Sequence, residues 1–274
     1  MFRLGVITDE ISTDVERAVK VARDLNLECI ELRQCWNKNV KDLTDGEVRR
    51  IRRLAKEYDL EVISIASPFF KCNIDNEDEV KKHLGFLQRL IDITKTFDAE
   101  ILRCFAFWST GRLEDYWDEI IERLSEAVEI CASEGVIYAL ENEHATFVGT
   151  GSEAERVVKA IGKRNLRVVW DPGNSFCAGE KPYPDGYMKV RDHTVHIHLK
   201  DAIRDKTTKT GYRFVAIGKG EIDYRGQFKA LIEDGYTGCA SLETHYKIEG
   251  DGEKSTRETL KGLRNILKEL GVTE

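Results

Sequence analysis

Short apolar runs alternate along the chain with longer stretches in which apolar residues recur every three or four positions. The runs predict buried parallel strands and the stretches predict amphipathic helices packed on them. Eight strands are expected: Leu4–Thr8, Cys29–Arg33, Val62–Ala66, Glu100–Phe105, Val136–Glu141, Arg167–Asp171, Val195–Lys200 and Cys239–Glu243. Between them, sets such as Val15, Ala18, Val19, Ala22 and Leu25, or Val48, Ile51, Leu54 and Ala55, each make one apolar helical face. Capping boxes are expected at Thr13/Glu16, Thr44/Glu47, Ser152/Glu155 and Ser255/Glu258, and helix stops at Gly135, Gly235 and Gly271.

Eight strand and helix pairs in 274 residues predict an α/β protein with a closed (β/α)₈ TIM barrel in a single domain over residues 1–274. An open doubly wound sheet is the competing arrangement. It calls for a glycine-rich phosphate turn after the first strand, and Val6 to Ser12 contains no glycine.

Composition narrows the partners rather than the fold. A net charge of −7, from 42 basic and 49 acidic side chains, disfavours nucleic acid and anionic membrane as partners. Seven cysteines lack Cys-x-x-Cys spacing and are odd in number, which argues against a disulfide framework and for a reducing cytoplasm. The apolar run to Thr8 is too short for a signal-peptide core, and no segment approaches the about 20 apolar residues that span a bilayer.

The candidate chemistry lies at the ends of the last four strands, which finish in Glu141, Asp171, His198 and Glu243. In a barrel the carboxyl ends of successive strands ring one mouth, so these side chains converge although they are far apart in sequence. Three buried carboxylates repel one another unless a cation lies among them. Three carboxylates and one imidazole form a mostly hard donor set for one divalent metal, Mn²⁺ first, with Mg²⁺, Co²⁺ or Zn²⁺ as alternatives. Such an ion would polarise a carbonyl next to a hydroxyl. Glu141 and Glu243 are the candidate catalytic pair, one removing and the other returning a proton through a metal-stabilised enediolate.

Other residues are candidates for lining the mouth. Asn174, Lys200, Arg204, Glu143 and His245 are expected to bind substrate, with His144 beside Glu143. His196 shares strand parity with His198 and is expected one layer deeper, as a hydrogen-bonded core histidine. Glu31 and Arg33 are expected to ion-pair inside the barrel, and Gly218-Lys219-Gly220 is read as a turn. Lys206, Lys209 and Arg213 read as a solvated loop or hairpin, while Trp36, Phe69, Phe70, Phe107 and Trp108 read first as ordinary packing, with shielding of the mouth as the alternative.

Together, Leu-Glu-Asn-Glu ending at Glu143, Trp-Asp-Pro-Gly-Asn at 170–174, His-Leu-Lys-Asp at 198–201, Gly-x-Ile-Asp at 220–223 and Leu-Glu-x-His at 242–245 resemble the xylose-isomerase-like sugar phosphate isomerase/epimerase superfamily. The opening Gly5-Val6-Ile7-Thr8-Asp9-Glu10-Ile11-Ser12 also looks like members of that group. The resemblance implies a metal-dependent isomerase or epimerase of a carbohydrate-like substrate, with the same four ligands and the two glutamates as the proton-transferring pair. It also implies a substrate contact for Arg204 and assembly as a homodimer or homotetramer. The superfamily includes ketose 3-epimerases, hydroxypyruvate isomerases, inosose dehydratases and apurinic-site endonucleases. An inosose-type dehydratase on the same site is therefore the alternative activity, and a non-catalytic sugar- or metal-binding barrel the alternative of another class. The epimerases often carry histidine three residues after the aspartate ligand, where this chain has Asn174.

Overall fold

The computed structural model describes residues 2–272, so residues 1, 273 and 274 of the expected domain lie outside the described residues. Within them eight parallel strands close into a barrel: β1 (Arg3–Ile7), β2 (Cys29–Leu32), β3 (Glu61–Ala66), β4 (Ile101–Cys104), β5 (Ile137–Glu141), β6 (Leu166–Trp170), β7 (Thr194–Leu199) and β8 (Cys239–Leu242). Every expected strand is present, with its ends within one residue of those read from sequence. Pairing runs in chain order from β2 to β8, and β1 closes the ring between β8 and β2.

Strand parity divides the side chains between two environments. Ile30, Leu102, Leu140, Val168, Ile197 and Ala240 face outward into the core beneath the helices. Ile101, Ala139 and Val169 form a separate apolar cluster, as expected for side chains turned into the lumen. On the same parity Arg103 follows Ile101, Glu141 follows Ala139, and His198 follows His196. One alternation thus supplies both the apolar floor of the lumen and the polar groups above it.

Seven long helices follow: α1 (Val15–Asp24), α2 (Asp45–Glu57), α3 (Glu77–Thr96), α4 (Trp117–Ser133), α5 (Gly151–Ile161), α6 (Tyr224–Glu233) and α7 (Gly252–Glu269). The α1 residues Val15, Ala18, Val19 and Ala22 are buried, which is the face predicted from their spacing. Gly135, Gly235 and Gly271 take positive φ just beyond helix ends, a conformation that costs glycine little.

Two expectations need correction. The sixth crossover is not one helix: Pro172–Cys177 and Tyr187–Val190 are short helical pieces interrupted by Gly179, Pro182, Pro184 and Gly186. Of the four capping boxes only Thr44/Glu47 forms. Asp14 caps α1 one residue after the anticipated Thr13, Thr150 with Glu153 caps α5 two residues before Ser152, and Asp251 caps α7 four residues before Ser255. Ser255 instead donates to the carbonyl of Asp251, and Glu258 ion-pairs with Lys219.

The segment after β7 forms an antiparallel hairpin, Asp201–Arg204 with Tyr212–Val215. It carries the exposed Lys206, Lys209 and Arg213 as expected. Gly218-Lys219-Gly220 is a turn held by Asp201, whose Oδ2 accepts from the Gly218 and Gly220 N–H groups at 2.9 Å each. Among the described residues no helix is long and apolar enough to cross a membrane.

Candidate metal centre and active site

Glu141 ends β5, while Asp171, Lys200 and Glu243 follow the last residues of β6, β7 and β8. His198 lies one residue before the end of β7. One donor atom from each of Glu141, Asp171, His198 and Glu243 falls within 4.8 Å of the others, and all four residues are buried. His198 Nδ1 stands 3.3 Å from Glu141 Oε1 and 3.6 Å from Glu243 Oε2.

The donor set is held from behind on every side. Arg103 Nη1 donates to Glu141 Oε2 at 2.8 Å, and Asn174 Nδ2 donates to Glu141 Oε1 at 3.0 Å. Asp171 caps the short helix that follows it, its Oδ1 accepting from the Asn174 N–H at 2.8 Å. Asn142 fixes the Asp171 backbone at both ends, accepting from its N–H and donating to its carbonyl. Arg33 Nη1 donates to Glu243 Oε1 at 2.6 Å, and His245 Nε2 lies 3.0 Å from the same oxygen.

Lys200 sits among the ligands. Its ammonium is 2.7 Å from Glu243 Oε2 and 2.9 Å from Asp171 Oδ2, and the side chain is almost wholly buried. Gly173 makes room for it, since a Cβ at that position would lie 2.3 Å from Lys200 Cγ.

The ionisation of these groups follows from their neighbours. Burial opposes charge on Glu243, but Lys200, His245 and His198 hold its carboxyl well below the usual range. Burial raises Asp171 to about 6, with Glu243 and Glu141 adding repulsion that Lys200 offsets only in part. Burial likewise opposes charge on His198, yet Glu31 and Glu141 hold its imidazole well above the ordinary value. The Lys200 ammonium thus balances part of the carboxylate charge at the mouth.

Two atoms test whether a metal suits this cluster. Asp171 Oδ2 and His198 Nδ1 are buried and make no hydrogen bond, although charged partners lie near them. Both belong to the predicted ligands and both are on the cluster side. Hard oxygens with one imidazole nitrogen at this spacing fit a divalent ion, so Glu141, Asp171, His198 and Glu243 could hold one.

Of the other predicted residues, Asn174, Lys200 and His245 touch the ligands. Glu143 lies one step out, ion-paired with Lys71 at 2.7 Å and with His144 at 2.9 Å. His144 Nδ1 is also 3.0 Å from Asn174 Oδ1, and its Nε2 is 2.7 Å from the Tyr212 hydroxyl. Burial opposes charge on His144, but Glu143 raises its pKa above the ordinary value. Arg204 is not brought to the ligands: it is exposed on the hairpin, its guanidinium over the Phe176 ring at 4.9 Å.

Glu31 and Arg33 both form ion pairs, each with its own partners. Arg33 turns to the mouth and binds Asp9, Glu10 and Glu243, whereas Glu31 turns into the lumen and meets His196 and His198. The two are separated by one residue on β2 and its end, so they share a parity but occupy different depths. Arg103, a cation in a strand and so by its sequence position within reach of the pocket, meets Glu141 there, whereas nothing in the sequence marked Lys71 or Tyr212.

The model of the xylose isomerase-like TIM barrel family matches residues 19–266. The chain belongs to that family. It is 24% identical over 214 residues to the inosose dehydratase of Bacillus licheniformis, covering 69% of this chain and 71% of that enzyme. It is 22% identical over 269 residues to the fructoselysine 3-epimerase of Shigella flexneri, covering 93% and 94%. Among solved structures, a xylose isomerase-like TIM barrel protein from Mycobacterium smegmatis in complex with magnesium superposes with a TM-score of 0.69 at 21% identity, covering 92% of this chain and 89% of that one. At these identities the likeness to solved structures speaks for the fold, and the activity must be argued from the site.

Proposed function

We propose that this chain is a divalent-metal-dependent isomerase or epimerase acting on a sugar, a sugar phosphate or a related hydroxy-carbonyl compound. The observation that carries the reading is the convergence of Glu141 and Glu243 with Asp171 and His198 on one buried point at the barrel mouth. Both named relatives act in sugar or cyclitol chemistry by their names, one as an epimerase and one as a dehydratase, which supports the substrate class. Mn²⁺ is the ion best suited to the donor set, and the magnesium complex of a structural neighbour supports a hard divalent ion.

A divalent ion in this centre would supply Lewis acidity to a substrate carbonyl and so acidify the neighbouring C–H. Glu141 and Glu243 reach the centre from β5 and β8, and each is fixed by its own cations and amides. Proton removal by one carboxylate and return by the other gives isomerisation or epimerisation, according to the carbon that receives the proton. Asn174, Lys200 and His245 contact the ligands and are the groups placed to orient substrate oxygens, with Glu143 behind them and Arg204 on the hairpin. Seven free cysteines support a reducing compartment, and we place the enzyme in the cytoplasm.

One observation favours elimination as the second reading. His144, whose pKa Glu143 raises and which touches Tyr212, is a candidate to give a proton to a departing hydroxyl. The test is a panel of ketoses, ketose phosphates and inososes in D₂O with Mn²⁺ supplied. Deuterium uptake without loss of water is expected, and Glu141→Gln and Glu243→Gln should each abolish it. A dehydrated product would move the assignment to the lyase. Absence of exchange across the panel would leave a binding barrel without turnover.

A further inference from the structure

The buried carboxylate of Glu31 has no place in the proposed proton transfer, and among the described residues no arginine or lysine pairs with it. It crosses the lumen from β2 to β7, two strands beyond its neighbour β1 in the ring. Gly5 on the intervening β1 leaves the space open, because a Cβ there would lie 2.8 Å from Cys239 Sγ and 2.9 Å from Ser241 Oγ. Glu31 Oε1 lies 2.6 Å from His196 Nε2, and Oε2 lies 3.3 Å from His198 Nε2. All three side chains are fully buried. A desolvated carboxylate with only imidazole partners is a costly group to retain for stability alone.

An ionised carboxylate only accepts hydrogen bonds, so each imidazole must present Nε2–H to it. That requirement settles the tautomer of neutral His198. With the proton on Nε2, the lone pair is on Nδ1, the buried atom that makes no hydrogen bond and lies 3.3 Å from Glu141 Oε1. His196 holds the other oxygen with its ring nearly perpendicular to that of His198, at an interplanar angle of 87°, which fixes the carboxylate. We propose that Glu31, steadied by His196, is the positioning residue that commits His198 Nδ1 to the metal. The inference rests on the metal-centre reading given above. Carboxylates behind metal-bound histidines commonly act in this way, fixing ring orientation and strengthening the donor.

The test compares wild type, Glu31→Gln and Glu31→Asp by two measurements. Long-range ¹⁵N–¹H correlation reads the His198 tautomer at a pH where the ring is neutral, with Mg²⁺ present and absent. Titration calorimetry with Mn²⁺ reads affinity. In wild type the Nε2–H form is expected. Glu31→Gln offers an amide N–H as readily as a carbonyl, so the Nδ1–H form should appear and Mn²⁺ affinity should fall by about 10–100-fold. Glu31→Asp keeps the charge and should retain the Nε2–H form with a smaller loss of affinity; it also serves as the test if the glutamine variant does not fold. Unchanged tautomer and affinity in Glu31→Gln would overturn the proposal. If wild type takes up no Mn²⁺, the metal-centre reading fails by itself, and the tautomer of the metal-free variants still decides the role of Glu31.

Discussion

Lys200 and Glu243, 43 residues apart, meet at the barrel mouth with 2.7 Å between ammonium and carboxylate, and Asp171 closes on the same ammonium. The lysine therefore neutralises two of the four predicted ligands. Lys200→Met should destabilise the metal-free protein by about 3 kcal/mol or more, since it leaves two buried carboxylates facing each other. Mn²⁺ should restore much of the loss. Thermal melts with chelator and with Mn²⁺ check this: the metal-induced rise in Tm should be larger in the variant than in wild type.

Asn174 joins Glu141 to His144, donating to the first through Nδ2 and facing the second with Oδ1. Asn174→Ala should lower kcat/KM by about 10–100-fold while leaving one Mn²⁺ bound per chain, because it frees the proposed catalytic carboxylate of Glu141 without removing a proposed ligand. Steady-state kinetics with metal analysis measures both.

The N–H of Phe70 donates to His83 Nδ1 at 2.8 Å, which requires the neutral ring. Burial lowers the His83 pKa from 6.5 to about 4. In the unfolded chain the ring protonates at the higher value, so between these pH values the unfolded state binds more protons. The contribution of His83 is present above about pH 6.5 and is lost as pH falls towards about 4. Gln offers the Phe70 N–H a carbonyl acceptor and does not titrate. Urea melts of His83→Gln should therefore lose less stability over this window than wild type.

Gly5 lies too close to Cys239 and Ser241 to accept a side chain. Gly5→Ala should destabilise the barrel by about 1–3 kcal/mol through overpacking, read as a lower urea midpoint with an unchanged m-value.

The strands were legible because each is a short apolar run with both faces buried, and β-branched residues such as those of Val168-Val169 leave little else to form. The four ligands were legible for a related reason: a carboxylate or imidazole at the end of such a run stands out against it. The sixth crossover was not, because Pro172, Gly179, Pro182, Pro184 and Gly186 interrupt a segment whose place in the alternation suggested a helix. Cap positions were ambiguous wherever several side-chain oxygens lay within one turn, as Ser12, Thr13 and Asp14 do before α1. Partner choice was hidden altogether. Arg33 finds Glu243 at a separation of 210 residues, and Glu31 finds His196 at 165, pairings that only closure of the ring creates.

The hairpin from Asp201 to Val215 pairs only with itself and hangs from the strand that carries His198. Asp201 clamps its return through the Gly218 and Gly220 amides, and Tyr224 anchors the preceding carbonyl of Lys200 at 2.8 Å. Ala202 and Ile217 at its base are buried in the core and Tyr212 bonds His144, so the part free of the barrel is the exposed tip around Lys206 to Gly211. The barrel strands thus hold the candidate ligands while the hairpin tip hangs from them as a separate piece, the part of the mouth that can be exchanged with least disturbance to the ring.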